Sequence, residues 1–233
     1  MGQHSGIGVL DKAVQILEAA AAEPAALAAL VERTGLPRAT THRLAVALEA
    51  HDLLRRDSEG RFTLGAKVTA LAAQSGVDPL LEHAAAVLAW LRDESGESAQ
   101  LYRREGNDRV CVAVAERRTG LRTTVPIGAR LPLTAGSGAQ VLCAWEPPAA
   151  LGDLLSRAQF SERILAEVRR RGWAQSVAQR EAGVASVSAP VRGAEGAVLA
   201  AVSISGPIER LGRAPGQRFA PVVQAAARRL SRR

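Results

Sequence analysis

The first 65 residues combine three short helical patterns, tight turns and a hairpin in an order that few folds accept. Apolar residues recur at helical spacing over residues 8–21, and a second apolar set follows Pro24, at a first-turn position, and stops before Gly35. Because glycine readily closes a helix in the left-handed conformation, Gly35 predicts a tight turn between two helices, which is a helix-turn-helix. Pro37 suits the start of the third helix, whose predicted apolar stripe is Leu44, Ala47, Leu48 and His51.

Two strand-like runs follow the third helix. Residues 53–57 and 61–64 flank Ser58-Glu59-Gly60, which is a typical hairpin turn. Three helices followed by a hairpin predict a winged helix-turn-helix domain over residues 1–65. Gly65 then opens an apolar helical stretch that fades between Gln74 and Pro79. We therefore expect a linker helix and connector over residues 66–79 and a second domain over residues 80–233.

The second domain mixes helical and strand-like patterns. Helical spacing covers residues 80–92, 135–145 and 162–171, and a last helix is predicted from Pro221 to the chain end. Strand-like runs cover residues 99–102 and 110–114 around a turn at 105–108, and 184–191 and 198–204 around a turn at 193–196. Because strands and helices do not alternate strictly, the pattern predicts an antiparallel sheet and an α+β fold class.

The third helix has a polar face that suits DNA. In a helix-turn-helix the second helix of the motif enters the major groove, and its N-terminal residues contact base edges. Arg38, Ala39 and His42 lie opposite the apolar stripe, and Arg43 lies on its flank. Arg38 can bond guanine bidentately, Ala39 can contact a thymine methyl group, and Thr41 and His42 can bond bases or phosphates. Arg43 suits a phosphate or a carboxylate within the domain.

The hairpin supplies three more basic residues, which can lie against the phosphate backbone beside the groove. Solvated polar residues on an ordinary amphipathic helix are the alternative, but they do not account for three helices, a glycine turn and a basic hairpin in this order. The predicted DNA-binding residues are Arg38, Ala39, Thr40, Thr41, His42, Arg43, Arg55, Arg56 and Arg61.

Overall charge does not locate this surface. The formal net charge is +7, yet eight basic residues up to residue 74 are matched by eight acidic ones, so the excess lies downstream. Aromatic residues make up only 3% of the chain, which argues against a surface that stacks bases on rings. No apolar stretch is long enough to span a bilayer and no leader pattern is present, so we expect a cytoplasmic protein.

A resemblance to a known family runs through nearly the whole chain. The N-terminal region resembles the DNA-binding domain of the IclR family of bacterial transcription regulators, and the second half resembles that family's effector domain. The matching runs are residues 8–17, 35–44, 62–65, 172–176, 181–191 and 200–207. Residues 96–104 are similar to those of actinobacterial members that control amino-acid biosynthesis genes, leucine genes in particular.

The resemblance implies a GAF-like C-terminal domain that binds a small molecule, often a carboxylate, in a dimer or tetramer acting on palindromic double-stranded operators. Carried over by position, the effector-binding residues are Thr134, Ala135, Gly136, Ser137, Ser176, Ser186, Ser203 and Ser205. Backbone N–H groups at a glycine-rich helix start suit an anion, and serine hydroxyls can donate to a carboxylate. Ser203 and Ser205 alternate along a strand and so share a face. Family members that bind small oxoacids tend to carry cysteine or an acidic residue at Ser186 and Ser176, which implies a different ligand or none.

The sequence gives little support for a metal, redox or catalytic site. Cys111 and Cys143 lack the paired spacing of a zinc site, and their apolar surroundings predict buried, reduced thiols rather than a redox sensor. No nucleophile elbow and no phosphate loop occurs, so we expect no enzyme, cofactor or metal. Two alternatives stay open, namely an effector domain that binds nothing and only supports oligomerisation, and a metabolic enzyme with a DNA-binding appendage.

Overall fold

The computed structural model describes residues 6–74 and 78–231, and the chain divides into two compact units between residues 77 and 78. The predicted connector at 75–77 and the last two residues of the final predicted helix, 232 and 233, lie outside the described residues. Among the helices of the described parts, none combines the length and apolar character needed to cross a lipid bilayer.

The first unit has three helices, a two-stranded hairpin and a further helix. The elements are α1 (Gly8–Ala22), α2 (Leu27–Thr34), α3 (Arg38–Ala50), β1 (Leu54–Arg56), β2 (Phe62–Leu64) and α4 (Ala66–Gln74). A small core formed by Ile16, Leu30, Ala45, Leu54 and Phe62 joins the helices to the hairpin. Gly35 has φ 66° and donates its N–H to the Val31 carbonyl, so the predicted left-handed turn between α2 and α3 is confirmed.

Two expectations for this unit are wrong. The second helix begins at Leu27 rather than at Pro24, because Ala25 exchanges two backbone hydrogen bonds with Phe62 and extends the hairpin sheet. The buried stripe of α3 is Thr41, Ala45 and Leu48, whereas Ala47 and His51 are exposed. The stripe is therefore rotated from the one predicted, toward the side of the helix that carries Thr41.

The second unit is a six-stranded antiparallel sheet with helices on both faces, which confirms the α+β fold class. The strand order is β5-β4-β3-β8-β7-β6. The strands are β3 (Ser98–Glu105), β4 (Asp108–Ala115), β5 (Arg130–Pro132), β6 (Ala174–Val177), β7 (Val184–Arg192) and β8 (Val198–Pro207). The helices are α5 (Pro79–Ser95), α6 (Ser137–Cys143), α7 (Pro148–Arg157), α8 (Glu162–Arg171), α9 (Ile208–Leu211) and α10 (Pro215–Leu230).

Period-two alternation sorts the strand residues onto two different faces. Val187, Val202 and Ile204 pack in one core with α5 and α10. The residues between them on the same strands point to the opposite face, where α6 and α8 pack. The register aligns Ser203 of β8 with Gln100 of β3 on one side and Ser188 of β7 on the other, so this second face carries a polar row.

The short elements β5, β6, α7 and α9 are not predicted by the sequence pattern, and the predicted start of α10 is too late. Helix α10 begins at Pro215 and runs through Pro221. Proline at position 221 removes the N–H that would bond the Gln217 carbonyl, but both residues are exposed, so water can take that place. A proline inside a helical pattern was therefore misinterpreted as its start.

Candidate DNA-binding surface and effector cavity

The N-terminal end of α3 presents a polar surface. Arg38, Ala39, His42 and Arg43 are exposed, and Thr40 is half-buried. Within residues 6–74 and 78–231, the side chains of Arg38, His42 and Arg43 form no hydrogen bond and no ion pair. These three side chains are therefore available to an external partner, as base and phosphate contacts require.

Thr41 does not belong to this surface. Its side chain is fully buried, and its hydroxyl lies 3.2 Å from the Pro37 carbonyl and 3.4 Å from the Leu36 carbonyl. The hydroxyl thus fastens the first turn of α3 to the turn before it. The expectation that Thr41 meets bases or phosphates is wrong, because the stripe that packs against α1 and α2 includes it.

The three hairpin arginines differ in their availability. Arg55 is exposed and has no partner among the described residues. Arg56 donates to Glu49 at 3.1 Å and lies over the Phe62 ring at 4.2 Å. Arg61 donates to Asp57 at 2.8 Å and lies 3.0 Å from a Glu59 oxygen, and this hydrogen bond from Arg61 holds the pKa of Asp57 below its usual value. Arg55 is therefore the hairpin cation best placed to meet a phosphate.

In the second unit, the polar face of the sheet and the start of α6 enclose a cavity. The cavity has a volume of about 30 Å³ and is partly open to solvent. Of the predicted effector residues, it brings together Gly136, Ser137, Ser176, Ser186, Ser203 and Ser205. Thr134 and Ala135 are not in its lining.

Five serine hydroxyls form a continuous hydrogen-bonded chain along this cavity. Ser137 lies 2.6 Å from Ser186 and 2.7 Å from Ser188, while Ser176 lies 2.9 Å from Ser186 and Ser188 lies 2.5 Å from Ser203. Four such contacts use four of the five hydroxyl protons, so one proton remains unused within the chain. Most of the serine donors are thus already satisfied by one another.

Two backbone N–H groups at the start of α6 are occupied as well. Gly136 donates to the side-chain oxygen of Gln179 at 3.0 Å, and Ser137 donates to the Ser176 hydroxyl at 3.1 Å. These two N–H groups of the predicted anion site already have acceptors within the fold, so an anion would have to displace them.

The strongest anion-binding group is Arg109, which the pattern analysis overlooked. Its side chain comes from β4 and is packed beneath Gly136, and the residue is only 3% exposed. One terminal nitrogen, Nη1, donates to the Pro132 carbonyl at 2.9 Å and the Ala135 carbonyl at 2.7 Å. Nε is buried without a partner, and no carboxylate of the described residues pairs with the guanidinium. Burial lowers the pKa of Arg109 to about 10, so it remains charged at neutral pH.

Two further polar groups lie beside Arg109. Gln100 is fully buried on β3; its oxygen accepts from Ser205 at 3.1 Å, while its Nε2 has no partner in the described structure. Tyr102 is buried beneath the guanidinium, 5.4 Å from the ring centroid to Arg109, and burial raises the pKa of its hydroxyl. A buried guanidinium with an unpaired Nε and no carboxylate partner, next to a buried amide donor without an acceptor, suits a ligand with an anionic group. The alternation of Gln100 and Tyr102 along one strand was the signal that could have found them.

The two cysteines are buried free thiols, as expected. Burial raises the pKa of both Cys111 and Cys143 to about 11 from a usual value of 9.0. At pH 8 the thiolate fraction is then lower by about 100-fold, and the thiolate is the reactive form. We expect iodoacetamide to label both cysteines at least this much more slowly in the native protein than in 8 M urea, as measured by mass spectrometry. Equal rates in the two states would show that the thiols are accessible.

No group of three or more histidine, cysteine or acidic side chains that could hold a metal ion occurs within the described ranges. The arginine, glutamine and serine groups of the cavity are donors rather than metal ligands. These donor groups suit an anion better than a metal ion.

Comparison with known sequences assigns both units to one family. Residues 9–58 match the IclR helix-turn-helix domain, and residues 74–232 match the C-terminal domain of the bacterial transcriptional regulator IclR. The chain is 30% identical to the glycerol operon regulatory protein of Streptomyces griseus over 223 residues, which cover 88% of this chain and 87% of that protein.

Solved structures share the fold. The IclR protein of Thermotoga maritima matches with a TM-score of 0.72 at 20% identity, over 97% of this chain and 98% of that one. An IclR homolog from Microbacterium hydrocarbonoxydans, solved in complex with 4-hydroxybenzoate, matches with a TM-score of 0.69 at 22% identity, over 96% and 97%. The two matched domains make this chain a DNA-binding transcriptional regulator rather than an enzyme. It belongs to the IclR family of bacterial transcriptional regulators.

Proposed function

We propose that this regulator binds its operator through the exposed face of α3 and through Arg55, and that a small carboxylate bound at Arg109 changes its operator affinity. The observation that carries the proposal is the buried Arg109 guanidinium, which has no carboxylate partner among the described residues. A buried charge without a counter-charge costs free energy, and an anionic ligand would offset that cost. The relative crystallised with 4-hydroxybenzoate, itself a carboxylate, supports this ligand class.

The proposed DNA contacts are divided by their chemistry. Arg38, Ala39 and His42 contact base edges, Arg43 and Arg55 contact phosphates, and Thr40 lies at the margin of the surface. Base contacts provide sequence selectivity, whereas phosphate contacts provide affinity for any duplex. Arg56 and Arg61 hold the hairpin in shape through their acidic partners and contribute less to binding.

A two-fold dimer suits this function, because helix-turn-helix regulators bind paired half-sites. Helix α1 leaves apolar side chains in solvent, with Val9 62%, Leu10 51% and Val14 42% exposed. An apolar stripe of this kind suits packing against a second copy. Light scattering of the free chain and of its operator complex measures whether two or four copies assemble.

One observation favours a second candidate function. The serine chain is satisfied internally, as expected of a domain that binds no ligand and only holds the oligomer together. The two candidates differ at Arg109, because a domain that only holds the oligomer together does not require a buried cation without a carboxylate partner.

The regulated genes remain a prediction of the resemblance. Control of leucine-type amino-acid biosynthesis is not supported by the relatives, one of which is named for a glycerol operon. Sequencing of genomic fragments retained by the full-length protein would identify the operators and the adjacent genes.

The proposal is tested by measuring operator affinity with increasing concentrations of carboxylates. We expect one class of small carboxylate to bind with saturable heat and to shift the operator Kd by about 5- to 150-fold, the ordinary range of allosteric coupling. A protein that binds none of the carboxylates would favour the platform, whereas carboxylate binding that leaves the operator Kd unchanged would contradict the regulatory part of the proposal. A protein that ignores every duplex at low salt would contradict the DNA-binding assignment.

A further inference from the structure

We infer that the effector cavity selects a ligand with two separate anionic groups, that is, a dicarboxylate. The inference rests on the proposed effector function and specifies its ligand class. It comes from a second arginine, Arg180, which lines the same cavity as Arg109.

The two arginines reach the cavity from different sides. Arg109 belongs to β4, and Arg180 lies on the 178–183 loop between β6 and β7. In the sheet, β3, β8 and β7 lie between β4 and β6. One guanidinium therefore approaches a ligand from the buried side beneath α6, and the other approaches from the loop side, where Arg180 keeps 26% of its side chain exposed.

The positive charges of the cavity exceed its negative charges. Among the residues that line it, Arg109 and Arg180 are cationic and Glu181 is anionic. Glu181 lies 3.4 Å from the Arg180 Nη2, is 59% exposed, and forms no ion pair with Arg109. Because exposed ion pairs are weak, a ligand carboxylate can take the place of Glu181 at Arg180 without a large loss.

The positive charges of Arg109 and Arg180 act on each other across the cavity. The positive charge of Arg180 contributes to the lowered pKa of Arg109, after the larger effect of burial. A ligand with one anionic group pairs with Arg109 and leaves Arg180 to its exposed partner Glu181. A ligand with an anionic group at each end satisfies both guanidinium groups.

The cavity must open to admit such a ligand. Its volume of about 30 Å³ holds only one or two water molecules and is well below the size range of ligand pockets, so the walls must move apart. The 178–183 loop is the wall that belongs neither to the sheet nor to α6. Opening at this wall would break the hydrogen bond from Gly136 to Gln179 and carry Arg180 and Glu181 outward, so the second anionic group of the ligand would meet this wall.

The test is a calorimetric titration of the full-length protein with malonate, succinate and glutarate, and with the monocarboxylates propionate and butyrate. We expect at least one dicarboxylate to bind at least 10-fold more tightly than either monocarboxylate. Inorganic phosphate, which carries its charge on one group, should bind no more tightly than the monocarboxylates.

A substitution at the loop assigns the difference to Arg180. Arg180→Gln should weaken binding of the preferred dicarboxylate about 10-fold, to the level of the monocarboxylates, and leave monocarboxylate binding unchanged. Arg163→Gln on α8 removes the same charge from a side chain that is 86% exposed and outside the cavity, and it should change neither. Circular dichroism checks that both variants are folded.

The possible failures can be told apart. Three results would overturn this inference and leave the proposed effector function intact. The first is that monocarboxylates bind as tightly as dicarboxylates, and the second is that phosphate binds as tightly as either. The third is that Arg180→Gln weakens the binding of both ligand classes equally. If no carboxylate binds to the wild-type protein at all, the inference and the carboxylate part of the proposed function are both wrong.

Discussion

Replacement of Arg38 with alanine is expected to weaken binding to the operator by about 5- to 150-fold per half-site and to leave binding to random duplex almost unchanged. The range corresponds to the ~1–3 kcal/mol by which a bidentate arginine–guanine contact discriminates against other bases. Arg38 is exposed at the start of α3 and has no partner within residues 6–74 and 78–231. Its loss should therefore remove a base contact without disturbing the fold of the unit.

Fluorescence anisotropy with labelled operator and labelled random duplex, at several salt concentrations, measures both affinities. Arg55→Ala is the matched comparison, because it removes an exposed arginine of the hairpin that also has no described partner. It should weaken binding to both duplexes alike and reduce the slope of log K against log salt by about one. Equal losses on operator and random duplex for Arg38→Ala would show that Arg38 contacts phosphate, and the assignment of the α3 surface to base recognition would then fail.

Replacement of Arg109 with glutamine is expected to weaken effector binding by about 30-fold or more and to abolish the response of operator binding to the effector. Truncating one partner of a buried, hydrogen-bonded charge pair ordinarily costs about 2 kcal/mol or more. Glutamine has a similar shape to part of arginine but carries no charge. Operator affinity without effector should stay near the wild-type value, since Arg109 lies in the second unit and the proposed DNA contacts lie in the first.

The control for this variant is Arg104→Gln. Arg104 faces Arg109 in the register of β3 and β4 but pairs with Glu146 at 3.1 Å and does not line the cavity. Thermal unfolding at increasing carboxylate concentrations measures how much the bound ligand stabilises the folded protein. At a ligand concentration of 100 times the Kd, the free energy of unfolding rises by about 2.7 kcal/mol. Full stabilisation of Arg109→Gln would contradict the assignment of Arg109, and loss of stabilisation in Arg104→Gln would show that the effect is not specific to the cavity.

The pH dependence of effector binding follows from the lowered pKa of Arg109. The ligand binds the protonated guanidinium, and the pKa in the free protein is about 10. Affinity should therefore be constant from neutral pH to about pH 9 and fall as the pH rises through about 10, because the free protein then loses the proton that the complex requires. Calorimetry across this pH range measures the effect.

Much of the first unit could be predicted from local sequence. The spacing of apolar residues and the left-handed preference of Gly35 indicate α1, α3 and the turn before α3, because helix periodicity and glycine conformation depend on neighbours along the chain. The alternation of Ser203 and Ser205 between Val202 and Ile204 likewise predicted a polar face of β8, and the structure places both serines in the cavity.

Pairing across the chain decided the rest. Arg109 follows a turn and resembles an exposed residue at a strand end, and only the pairing of β4 with β3 and β5, together with the cover of α6, buries it. Thr41 became a core residue through packing among α1, α2 and α3, and Arg56 and Arg61 found acidic partners within the hairpin region. Local pattern therefore determined the elements, whereas burial and ion pairing, which depend on residues distant in sequence, decided which polar side chains are free to bind a ligand or DNA.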